Sequence, residues 1–174
     1  MRTNRTSFAS SRLLTPKLPP PTSLAFRVPA YGTSQRWLVL ASGGAALLWT
    51  SLEDNHVLPV VLLGAALALA LMLRWITRRW GGSIFAGRAA LLGAAGAGAL
   101  TGVSAALATT ALMLLKDGLH AHLFPDYPFG MIIDILARAP LWALAGALAA
   151  VGLLLAWWAL HTRDQSRRAR RTHP

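Results

Sequence analysis

Residues 89–115 read AALLGAAGAGALTGVSAALATTALMLL, a stretch without a single charged side chain. At roughly 27 residues and about 1.5 Å of rise each, a helix here is about 40 Å long, more than the bilayer hydrocarbon thickness of about 30 Å. The run is long enough to span with a protruding end, and Gly118 is placed to terminate it. Taking every fourth residue gives Ala90, Ala94, Gly98, Gly102, Ala106 and Thr110, an unbroken line of small side chains. Residues four apart share a helix face, and small side chains let neighbouring backbones approach closely in a membrane. Ala94, Gly98, Gly102 and Ala106 are therefore the expected helix-packing positions, with Gly98 and Gly102 forming a GxxxG pair.

Three further uncharged runs flank this one, at Trp37–Leu52, Val57–Leu73 and Ala139–Leu160. Charged residues make up 13% of the chain, against about 25% in ordinary soluble domains. In lipid the backbone must satisfy its own polar groups, which favours helices. The expected fold is an all-α integral membrane protein with four transmembrane helices, at about 37–52, 57–76, 89–115 and 140–160. The first run is short and reaches spanning length if its helix starts near Tyr31. The segment PFGMIIDILAR reads as a short interfacial helix at about 128–138, with Asp134 and Arg138 spaced as a helical pair. Pro140 suits the first turn of the last span.

The net charge of +11 raises nucleic acid as a partner, but the distribution of charge argues for topology instead. Basic residues fall in the N-terminal segment, in the Arg74–Arg88 connection and in the tail from Arg163; only Lys116 and Arg138 lie elsewhere. Basic loops stay in the cytoplasm, so four spans with both termini cytoplasmic place nearly all Lys and Arg on one side. Glu53, Asp54, Asp117, Asp126 and Asp134 then fall on the other. Of the seven tryptophans, none sits at an expected bilayer centre, in keeping with the interfacial preference of the ring.

The chain divides into a basic, Pro- and Ser-rich arm at 1–36, expected to be disordered, a four-helix domain at 37–160 and an Arg-rich tail at 161–174. Membrane lipids are the expected surroundings, with anionic headgroups drawn to the tail. The membrane is expected to be a bacterial cytoplasmic one. The alternative is an organellar membrane with residues 1–36 as targeting segment, since that segment is rich in Arg and Ser and free of acids.

Two polar segments share the outer side, EDNH at 53–56 and KDGLHAHLFPDYP at 116–128. Together they hold Glu53, Asp54, His56, Asp117, His120, His122 and Asp126, and imidazole with carboxylate is a normal ligand set for zinc, iron, nickel or manganese. In an extended segment His120 and His122 point to the same side. Turns between spans are polar for simpler reasons, however, and HxH alone is a weak signal. No cofactor is expected, and a metal at these residues is the alternative. Cysteine is absent, which removes disulfides and thiolate ligands. No serine–histidine–acid set, phosphate loop or dinucleotide fingerprint stands out. The leading expectation is a non-enzymatic accessory or assembly subunit, packing against a membrane-protein partner or a second copy. The alternative is an outer-face metal or cofactor site serving a redox or hydrolytic reaction. A small transporter or channel ranks below both, because no ionisable residue lies between the expected interfaces.

Overall fold

The computed structural model describes residues 25–52, 56–119 and 126–171, with side chains to residue 163. Among them are five helices and one small sheet. In chain order these are β1 (Ala25–Arg27), α1 (Thr33–Thr50), α2 (Val57–Trp80), β2 (Ile84–Ala86), α3 (Gly87–Leu119), α4 (Phe129–Ala137) and α5 (Ala139–Arg171). Three helices are long and apolar enough to cross a membrane: α2, α3 and the Ala139–Arg163 part of α5. The first run, α1, is not among them. Its first turn is Thr33, Ser34, Gln35 and Arg36, and these polar residues dilute an 18-residue helix.

Local chemistry sets the ends. Gly32 opens α1, and its N–H donates to Gln35 Oε1 at 2.7 Å, so the third helical residue reaches back to close the first turn. Pro59 and Pro140 both lie in first turns, where a missing N–H costs no helical hydrogen bond. Gly82, at φ +83°, makes the turn after α2, where a side chain would be strained. The helix α2 continues to Trp80 and carries the arginines of the second connection as helical residues. Likewise α5 runs past the last apolar residue to Arg171; nothing between Leu160 and Arg171 is a helix breaker, and Arg, Ala and Gln are good helix formers. Arg138 closes α4 through its backbone N–H to the carbonyls of Asp134 and Ile135.

The central element is α3, packed against α5 along one side and α2 along another, with α1 lying on α2. At the α3–α5 crossing the backbones touch: a Cβ on Gly102 would strike the Trp142 carbonyl, and one on Gly98 would strike the Gly146 carbonyl. At the α2–α3 crossing, a Cβ on Gly64 would meet the Thr109 hydroxyl and lie 2.7 Å from its amide nitrogen. Every-fourth-residue spacing advances about 400° per step, so the small-residue line drifts about 40° each time. It winds around α3, which helps one helix serve two neighbours. Ala106 is fully buried, and Ala94 is partly buried against the cluster of Ala90, Leu154 and Trp158. Leucines on the outer faces stay exposed, Leu92 and Leu153 to 73%. Membrane helices with such surfaces contact lipid.

The strands were not foreseen. Phe26 pairs with Phe85 across an antiparallel ladder, and Phe26 meets the Trp157 ring edge-on at 5.3 Å. The two-stranded ladder thereby fastens the residues before α1 to the start of α3 and to α5. A fragment of three residues falls below what alternation can reveal, and the pairing partner is distant in sequence.

Candidate functional site

Polar side chains gather at both ends of the bundle. Of the residues that the sequence singles out at the first end, Glu53, Asp54, His120 and His122 lie outside the described residues. His56, Asp117 and Asp126 are described, and the first two meet through Tyr127. That residue is 1% exposed. Its N–H donates to Asp117 Oδ1 at 3.1 Å, and its hydroxyl donates to the His56 carbonyl oxygen at 3.5 Å, the far limit of a hydrogen bond. The start of α2 and the end of α3 are thus tied together. Among the described residues, no three His, Asp or Glu side chains gather as a ligand set.

Beside this tie lies Lys116, fully buried. Its Nζ stands 4.6 Å from the centroid of the Trp49 ring, within reach of a cation–π attraction. The same Trp49 belongs to a buried apolar cluster with Ala46 from α1, Val60 from α2, Leu112 and Met113 from α3, and Ile132 and Ile135 from α4. A lysine stem buries readily along apolar surface while its head finds a polar contact. Its position, one residue past the apolar run, is the signal that could have marked it.

The opposite end is built around Tyr31, just ahead of α1. Its hydroxyl oxygen accepts from Arg36 Nε at 3.1 Å and from Arg74 Nη1 at 2.9 Å. The guanidinium carbon of Arg78 stands 4.9 Å from the ring centroid, and those of Arg36 and Arg74 stand at 5.6 and 5.8 Å. Arg74 and Arg78 share a face of α2 by their spacing of four; Arg36 comes from the first turn of α1. Desolvation pushes the Tyr31 phenol upward, but the Arg36 hydrogen bond and the charges of Arg74, Arg78 and Arg36 together outweigh it and hold the group below its ordinary 10.0. Sequence reading treated these arginines as determinants of orientation and missed their convergence. In sequence Tyr31 is separated from its partners in α2 by the whole of α1, and only the helix pairing brings them together.

Comparison with known proteins supplies no further guide. No protein-family model, curated protein or solved structure gives a significant match to this chain. Between the two ends, one recess among the described residues is a shallow groove of about 230 Å³ lined by Ala68, Leu71, Met72, Trp75, Ser104 and Ala108. Its lining is mostly apolar, which offers acyl chains a surface. The chemistry of the described residues is therefore concentrated at the ends: a sealed lysine–tryptophan–tyrosine node at one, an arginine–tyrosine cluster at the other.

Proposed function

We propose that the chain is a four-span protein of a bacterial cytoplasmic membrane, with both termini cytoplasmic, acting as a non-enzymatic accessory or assembly subunit. Support for the fourth span comes from the two ends of α1. Tyr31 lies against Arg74 and Arg78 near the end of α2, while Trp49 lies against Lys116 near the end of α3. A helix with those neighbours runs as far along the bundle as α2 does. At 18 residues and about 1.5 Å each it is about 27 Å long, near the hydrocarbon thickness. A fourth crossing puts the arm at 1–36 and the tail at 161–174 on one side, where their arginines meet anionic headgroups. The chain has no cysteine, so single-cysteine variants report cleanly. Asp126→Cys reacts with an impermeant maleimide from outside and Ser34→Cys does not; labelling of both from one side removes the fourth span.

The observation that carries the accessory role is the one-sided packing of α1. Ala46 and Trp49 are buried in the bundle, whereas a Cβ at Gly43 or Gly44 would meet nothing within 4 Å. Helix association in lipid rests on close packing rather than on a hydrophobic drive, and that open face leaves room for a helix of another subunit or a second copy. Native mass spectrometry after gentle extraction tests this. A stoichiometric foreign subunit, or a homo-oligomer lost on Gly43→Leu, supports the reading; a bare monomer with no crosslinked partner in cells rejects it.

A second reading keeps the outer-face metal site of His120, His122, Asp126, Asp117, His56, Asp54 and Glu53. What favours it is the Tyr127 tie, which joins the ends of two connections that both contribute candidates. Metal content that stays unchanged in a His120→Ala, His122→Ala double variant would reject it.

A further inference from the structure

The cluster at Tyr31 asks for something that the described side chains do not supply. Two guanidiniums donate to one phenol oxygen and a third lies over the same ring. Like charges held this close repel, and a neighbouring carboxylate would be the usual remedy. Asp117, Asp126 and Asp134, the acids with described side chains, belong to the opposite end of the bundle. A tyrosine hydroxyl has two acceptor lone pairs and one donor. Here both acceptor sites are taken by arginine, so the O–H proton points onward. Arg36 has two terminal nitrogens left after its Nε bond, Arg74 keeps the rest of its fork, and Arg78 adds another fork. Guanidinium forks match phosphate oxygens two at a time, which an ammonium cannot do.

The geometry points to an anion-binding site formed by Tyr31, Arg36, Arg74 and Arg78 that takes a phosphate group, either on a lipid headgroup or free in solution. The tail arginines belong to the last turns of α5, and this site is distinct from any attraction they exert. Several converging donors favour a terminal, doubly charged phosphate monoester over a phosphodiester, which offers fewer free oxygens and less charge. Depth is consistent with a headgroup. Trp37 and Trp75, sequence neighbours of Arg36 and Arg74, are 67% and 49% exposed, and exposed tryptophans on membrane helices settle at the headgroup level. The hydroxyl makes Tyr31 the organiser: it holds two arginines in register and adds a donor, while its ring face receives the third.

The test uses the full chain, equilibrated with phosphatidylcholine vesicles with or without phosphatidic acid and then analysed by native mass spectrometry. The wild type is expected to retain phosphatidic acid in preference to phosphatidylcholine. Arg74→Gln lowers that retention about tenfold, the scale of one charge-assisted hydrogen-bond pair, and Tyr31→Phe about threefold, the scale of one neutral bond. Arg36→Gln keeps the experiment decisive if Arg74→Gln fails to fold, because Arg36 is exposed at the start of α1. A tail variant with Arg167, Arg168, Arg170 and Arg171 changed to Gln retains the lipid. Inorganic phosphate that competes for the wild type identifies a soluble phosphate as the ligand; failure to compete identifies the lipid, and both support the site. Equal retention of the two lipids by the wild type overturns it. So does retention unaffected by Arg36→Gln and Tyr31→Phe, or lost in the tail variant alone.

Discussion

The two ends of the bundle are built from the same materials, a basic side chain set against an aromatic ring, and they do opposite things. At one end Lys116 is enclosed over Trp49, with Tyr127 tied to Asp117 and to the His56 carbonyl. At the other, Arg36 and Arg78 are exposed beside a half-buried Tyr31. Burial explains the contrast. A sealed charge must find its compensation inside the chain, because an unmatched one is too costly to enclose. An open cluster can leave its compensation to the surroundings. The first arrangement is therefore structural, and the second has capacity left for a ligand.

Disrupting each end in turn makes that contrast measurable. The largest effect is expected from Trp49→Ala, which empties a site enclosed by four helices. Unfolding in mixed micelles should show a loss of about 3 kcal/mol, with Tyr31→Ala losing much less; equal losses would abolish the distinction between the ends. Next comes Asp117→Ala, which leaves the buried Tyr127 N–H without its acceptor. A cost of about 1–3 kcal/mol follows, and Asp117→Asn, which still offers an oxygen, should recover most of it. If asparagine fails as badly as alanine, the charge of Asp117 matters more than its bond to Tyr127.

A smaller effect concerns pH. With Tyr127→Phe as background, Tyr31 is the one remaining phenol of the two tyrosines in the chain. Its absorbance should titrate below 10.0, and Arg36→Gln or Arg74→Gln should move it upward. Because the folded state favours the phenolate, the stabilisation is present above the unfolded value near 10 and fades as pH falls through the lowered folded value. Added salt should shrink the displacement, since the cluster is open to solvent. A titration indifferent to both arginines would show that the cluster exerts no field on the phenol. Smallest of all, Gly96→Ala, which meets nothing within 4 Å, should leave stability within about 0.5 kcal/mol, marking the baseline against which the ends are judged.

How much of this was legible in advance depends on whether the cause was local. The apolar runs that become α2, α3 and α5 are readable because burial in lipid acts on each residue alone, wherever it lies. Alternation of charge between the connections is readable for the same reason. The polarity of the first turn of α1 was visible too, but its consequence for span length turned on where the helix began. The strand pair of Phe26 and Phe85 was not legible, because it joins segments separated by two helices. Nor was the Tyr31 cluster, whose members are unremarkable until α1 lies along α2. Around His120 and His122, the sequence raised a question that the described residues do not reach; at Asp117 they show an acceptor for Tyr127.

By itself, then, the sequence determined a set of apolar helices and the division of charge between their ends. Those follow from hydropathy, helix rise and the cost of exposing backbone to lipid, which need no knowledge of neighbours. Only the tertiary structure decided which glycines touch. Gly98 and Gly102 meet the backbone of α5 and Gly64 meets Thr109, while a Cβ on Gly43 or Gly96 meets nothing within 4 Å; spacing marked Gly98 and Gly102 as packing positions but named no neighbour for them and did not mark Gly64. It also decided that Lys116 is sealed and that three arginines share one tyrosine. Contacts of this kind depend on the rotation and crossing point of each helix, and those are settled by the fit of both surfaces at once.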